Sequence, residues 1–163
     1  MLLELARVTD LTRVAGEVWL VFFDAEDNGG LGGWEYVAGS RIFVSELEIT
    51  PAYMILVDMI GDADQDIYFE ANSDPTLREH LWSVAWDLGY ERHFIPVVHH
   101  SILDDHAPFL EQGIPAVDII DWGVSGGCWR SSLRVAHAIH RTDRPSGGLE
   151  ARFVSCSDRD INE

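Results

Sequence analysis

The chain has 163 residues, 47% of them hydrophobic, and sets 28 acidic side chains against 11 Lys and Arg for a net charge of −17. That length and apolar content suit one globular domain with a real core, or a large piece of a bigger one. The acidity excludes phosphate-backbone binding and attraction to an anionic membrane surface, so nucleic acid is not a partner, and no apolar run approaches the ~20 residues that span a bilayer.

Residues 1–13 read as a helix through Leu2, Leu5, Ala6 and Leu11 that starts without a capping residue, as a cut chain would. The opening shows no basic n-region or cleavage site, which leaves the compartment undecided. A buried strand over 18–23 then ends in Asp24-Ala25-Glu26-Asp27 and a glycine-rich turn, Asn28 to Gly33. Adjacent residues at a strand end diverge in direction, so one acid can hold a cation while its neighbour moves a proton. Two acids solvating a loop is the plainer reading, but a strand too apolar to be exposed weakens it. A helix is expected from about Trp34 to Leu47, with Trp34 the aromatic nearest a ligand.

A second buried strand, Met54 to Val57, delivers another acid, Asp58, at its carboxyl end. The alternating stretch Ile67 to Glu70 precedes Asp74, a helix N-cap, and Pro75 at the first helical position. Leu77, Leu81, Val84 and Leu88 give that helix an apolar stripe, and Gly89 stops it. A strand over 94–98 leads through His99 and His100 to Asp104-Asp105-His106-Ala107-Pro108-Phe109-Leu110, and a last strand spans 116–120. His80 and His93 read as surface residues, Trp82 and Trp86 as packing for a helix face. At most one of His99 and His100 can point inward. Cys128 and Cys156 lack the spacing of a zinc knuckle or a disulfide framework.

This alternation implies an α/β three-layer sandwich, with a central mixed, mostly parallel sheet and helices on both faces. Ligands in such sheets bind beyond the carboxyl ends of the strands. Glu26, Asp27, Asp58 and Asp104 are therefore expected to converge at one sheet edge, with Asp105 and His106 in the adjoining loop.

Three separated segments, Phe23 to Asp27 with its Gly-Leu-Gly turn, Leu56 to Gly61, and Asp104 to Leu110 with Gly113-Ile114-Pro115, together resemble metallopeptidase family twenty-eight, which holds zinc aminopeptidases and glutaminyl cyclases. The Asp-Asp-His-x-Pro-Phe-Leu segment is most like the cyclases. The resemblance implies a zinc-exopeptidase-like fold, here incomplete, one or two Zn²⁺ ions, and peptide or protein N-termini as substrate. By it Glu26 is the general acid/base and Asp104 the acid that hydrogen-bonds it. Asp27 and Asp58 are metal ligands, and Trp34, Asp105 and His106 bind substrate.

Two family features are missing: an Asp zinc ligand upstream of the first helix and a Trp-His-Thr segment after Asp121 whose His completes the site. Weak zinc binding is the expectation, with His106 and His137 as the first substitutes to consider. The charge also changes at this point, from five Arg against 23 acids through Asp121 to six Arg against five acids beyond it. The chain thus divides into a partial peptidase- or cyclase-like domain, 1–121, and a divergent, basic tail, 122–163, expected to be frame-shifted or poorly ordered. Three functions follow: conversion of N-terminal Gln to pyroglutamate, zinc-dependent aminopeptidase action, or a catalytically inactive fragment kept as a binding module.

Overall fold

The structure, a computed structural model, describes residues 1–61 and 64–122 in full, and the backbone of two further strands at His137–Arg141 and Arg152–Ser155. Most of the residues on which the expectation of a loose tail bears lie outside those described, as do Cys128 and Cys156.

Four helices and seven strands are numbered in chain order. They are α1 Leu2–Val8, β1 Glu17–Phe22, α2 Ala38–Ser45, β2 Tyr53–Asp58, β3 Ile67–Glu70, α3 Pro75–Asp87, β4 Phe94–His100, α4 Ala107–Glu111, β5 Ala116–Ile120, β6 His137–Arg141 and β7 Arg152–Ser155. The main sheet runs β5-β2-β6-β1-β7, and β3 pairs with β4 alone. The β2/β5, β1/β7 and β3/β4 ladders are parallel, while β6 is antiparallel to both β1 and β2. The sheet is mixed, as expected. Met54 stands opposite Ala116 and Asp58 opposite Ile120, so β2 and β5 end together.

Side-chain alternation sorts the layers. Val21, Phe23, Met54, Leu56 and Ala116 form one core with Val44 of α2 and Phe109 of α4. Ile55, Val117 and Ile119 point the other way, onto Leu77, Leu81 and Trp82 of α3, and Leu20 packs on Leu2 of α1. An aromatic trio of Phe23, Phe43 and Phe109, with ring centroids 5.3 to 6.1 Å apart, locks α2 and α4 onto the sheet. Asp58 shares the parity of Met54 and Leu56, and Asp118 that of Ala116. Both acids therefore belong to the face covered by α2 and α4.

Three local expectations need correction. The first helix stops at Val8 and a short 3-10 turn, Leu11–Arg13, follows, because Thr9 Oγ donates to the Leu5 carbonyl and Asp10 accepts from the Thr12 amide, drawing the backbone out of the helix. The helix read from Trp34 begins only at Ala38. The stripe of α3 is rotated: Val84 and Leu88 are exposed, whereas Trp82 is buried edge-on between Phe69 and Phe94. The large indole buries more apolar area than Val84 could and sets the rotation. The start of α3 is as expected, with Asp74 accepting from the Leu77 amide and Pro75 in the first turn. Gly89 ends it at φ +84°.

Candidate active site

Chain geometry at two strand ends aims the acids. Phe23 is buried, then the chain turns through Ala25 at φ 59° into a 3-10 turn, Glu26–Asn28. At the end of β2, Met59 takes φ 48° directly after Asp58. Non-glycine residues in the left-handed region cost about 1–3 kcal/mol each and persist where surrounding structure dictates them. Here the constraint is visible: the Val37 amide, itself at φ 55°, donates to the Glu26 carbonyl at 2.9 Å, and the Ala38 amide to the Ala25 carbonyl at 3.3 Å. Gly39 completes the seat, since a Cβ there would lie 2.2 Å from the Asp24 carbonyl oxygen. The start of α2 thus presses the Glu26 turn against the sheet.

The carboxylate oxygens of Glu26, Asp58 and Asp104 lie within 4.8 Å of one another. Asp58 and Asp104 are buried and Glu26 half-buried. Asp105 and Asp118 are buried beside them, and Asp118 has no hydrogen-bond partner for either oxygen among the described residues. Crowding of like charges away from water favours protonated carboxyls. Burial, then the Glu26 charge, raises Asp104 from 3.8 to about 8. Burial raises Asp105 to about 7, against the Ser40 hydroxyl, which lowers it. Burial also raises Asp58, and Asp118 is raised well above its ordinary value by burial and then by Asp104.

Asp27 lies on the same turn as Glu26 but is exposed and outside the group of three acids. Trp34 is half-buried, its backbone closing the glycine-rich turn through Gly30 and Leu31. His106 is fully buried and directed away from the acids, with Nε2 3.2 Å from Glu70 Oε2. Sequence reading missed two members, Glu70 and Asp118. An acid in the middle of Ala116-Val117-Asp118-Ile119-Ile120 was the available signal for one of them, because a buried strand tolerates a carboxyl only with compensation. Glu70 carried none beyond its place at a strand end.

Over residues 1–146 the sequence matches the profile of Peptidase family M28. The chain belongs to this family. Among solved structures it is similar to the glutaminyl cyclase of Porphyromonas gingivalis, with 32% identity and a TM-score of 0.58 over 64% of this chain and 41% of that one. A Zn-dependent exopeptidase from Parabacteroides distasonis gives 29% and 0.55 over 64% and 40%. A leucine aminopeptidase precursor from Bacteroides thetaiotaomicron gives 26% and 0.58 over 66% and 42%. The chain therefore spans about two fifths of these relatives. No curated protein matches it.

Zinc is the metal that the Zn-dependent exopeptidase suggests. The donor set fits a divalent cation: three carboxylates gather around one point, and Asp58 Oδ1 has no hydrogen-bond partner among the described residues. Zn²⁺ accepts Asp and Glu oxygens, and an all-oxygen set also suits Mg²⁺ or Mn²⁺.

Proposed function

We propose that the chain carries the acid–base half of a zinc-dependent site acting at peptide N-termini, converting N-terminal Gln to pyroglutamate as a glutaminyl-peptide cyclotransferase does. One observation carries this reading: Asp104, raised to about 8, is a proton donor at neutral pH with the Glu26 carboxylate in reach. The cyclase-like Asp104 to Leu110 segment and the glutaminyl cyclase likeness support it.

Asp27 and Asp58 are the proposed ligands, and bound zinc would draw electron density from the side-chain carbonyl oxygen of the substrate Gln. Glu26 takes a proton from the α-amine as its nitrogen bonds to the side-chain amide carbon. The same proton passes to the amide nitrogen, which leaves as ammonia while the carbon–nitrogen bond breaks. Asp104 donates to Glu26 and holds that carboxylate in register, and Trp34 and Asp105 shape the substrate side, while His106, proposed from the sequence for the same role, is buried against Glu70 behind them.

Aminopeptidase action is the second reading, supported by the equal TM-score to the leucine aminopeptidase precursor; Glu26 would then deprotonate water instead of an amine. A third, an inactive fragment or binding module, draws support from Asp27, which stands exposed and outside the group of three acids. Incubating the chain with Zn²⁺ and either a Gln-initiated peptide or a leucine anilide separates them. Cyclisation abolished by Glu26→Gln supports the first reading, anilide cleavage abolished by it supports the second, and no turnover of either substrate supports the third.

A further inference from the structure

Glu70 closes a four-residue strand and is fully buried, 0% exposed. A carboxylate there is tolerable only if its oxygens are satisfied. Three donors are local: the amides of Asn72 at 3.0 Å and Ser73 at 2.7 Å, and the Ser73 hydroxyl at 2.9 Å. A fourth, the Ile102 amide at 3.0 Å, comes from a distant stretch of chain, from which His106 also brings its Nε2 to 3.2 Å of Glu70 Oε2, an ion-pair contact when the ring is protonated. Burial works against the ionised form, but His106 and these amides outweigh it and hold Glu70 at about 2.

The segment those two contacts grip is the one that delivers Asp104 and Asp105. Asn72 grips it again, its Nδ2 donating to the Ile102 carbonyl at 2.9 Å while the Ser101 hydroxyl donates to Asn72 Oδ1 at 3.3 Å. Inside the loop the Asp105 amide closes on Asp104 Oδ1 and the Ala107 amide on the Asp104 carbonyl. On its other side Asp104 stands among Glu26, Asp58 and Asp105, the arrangement that this grip holds in place. The hydroxyl of Ser73 also accepts from the Asp118 amide at 3.0 Å, tying the same corner to β5.

We propose that Glu70 is a positioning residue: through His106 and Ile102 it latches the 101–106 loop so that Asp104 and Asp105 stay packed against Glu26 and Asp58. Only its effect on turnover rests on the function proposed above; the latch itself does not.

The test is amide hydrogen exchange on the full chain and its Glu70→Gln variant, which keeps the side chain's size but removes the charge. Protection at residues 102–106 is expected to fall roughly ten- to hundredfold, as for loss of hydrogen bonds to a charged group, with β2 and β5 unchanged. The ring nitrogens of His106 should shift in the NMR spectrum of the same variant. In a cycle with His106→Gln, the double variant should be no looser than either single one, because both break one latch. Unchanged protection at 102–106, or strictly additive effects, overturns the proposal. Should Glu70→Gln not fold, Asn72→Ala cuts the grip from the Glu70 corner and His106→Gln from the loop, and both must loosen the same amides; unchanged protection there overturns it equally. On a chain that turns over, Glu70→Gln should lower kcat with KM little changed. Local loosening in a chain without turnover supports the latch and counts against the enzymatic readings alone.

Discussion

Replacing Asp104 by Asn should stabilise the metal-free protein while removing its proposed activity. Folding keeps a proton on Asp104, raised from 3.8 to about 8, that the unfolded chain releases near pH 4. The sign follows: between these values the folded state binds more protons, so stability present at low pH is lost as pH rises from about 4 to about 8. At pH 7 holding that proton costs at most about 4 kcal/mol, from roughly 1.4 kcal/mol per pH unit above 3.8. Asn carries no charge and its Oδ1 can still accept from the Asp105 amide, a 2.6 Å contact. Sharing of protons with Glu26, Asp58 and Asp105 reduces the gain, and an increase of about 2 kcal/mol at pH 7 that vanishes near pH 4 is expected. Urea unfolding of both proteins in chelator at pH 4, 5.5, 7 and 8, values chosen to bracket roughly this window, measures it. A destabilised variant at pH 7, or a gain equal at pH 4 and pH 8, refutes the argument that burial among like charges sets the protonation of Asp104.

Glu70 titrates in the opposite sense: its value is depressed from 4.5 to about 2, so stability present above pH 4.5 is lost as pH falls through this range, by at most about 3 kcal/mol, and Glu70→Gln should flatten that acid limb of a pH–denaturation profile. Calorimetric zinc titrations should lose affinity with Asp58→Asn and Asp27→Asn if these are the ligands, whereas loss with Asp104→Asn and none with Asp27→Asn would move the metal into the group of three acids. Gly39→Ala should lower stability by about 1–3 kcal/mol in urea unfolding, because its Cβ would meet the Asp24 carbonyl 2.2 Å away and push out the turn that carries Glu26.

How far these features were legible in the chain depends on the range of the physics behind each. Asp74 and Pro75 act within one turn of backbone, so the start of α3 could be read directly. The buried runs that became β1, β2 and β5 reflect burial on both faces, which leaves its mark on every residue of a strand. Delivery of Glu26, Asp58 and Asp104 to one place follows from those strands, since residues at the carboxyl ends of neighbouring elements meet. The rotation of α3 was not legible, because it turns on whether Trp82 or Val84 finds aromatic partners, and Phe69 and Phe94 are supplied by other strands.

The roles of His106 and Glu70 lie furthest from local pattern. His106 sits in an acidic motif and invites a place at the ligand, yet its ring is buried against Glu70, 36 residues earlier in the chain. A buried carboxylate draws every donor it can reach, so the most strongly acidic side chain of the region gathers the loop while its neighbours, crowded among other carboxyls, keep their protons. The same functional group thus does two opposite jobs within one site, and the balance of N–H and O–H donors against burial and neighbouring carboxyls decides which. Any substitution that moves a donor from the Glu70 corner to the Asp104 corner should lower one limb of the pH profile and raise the other.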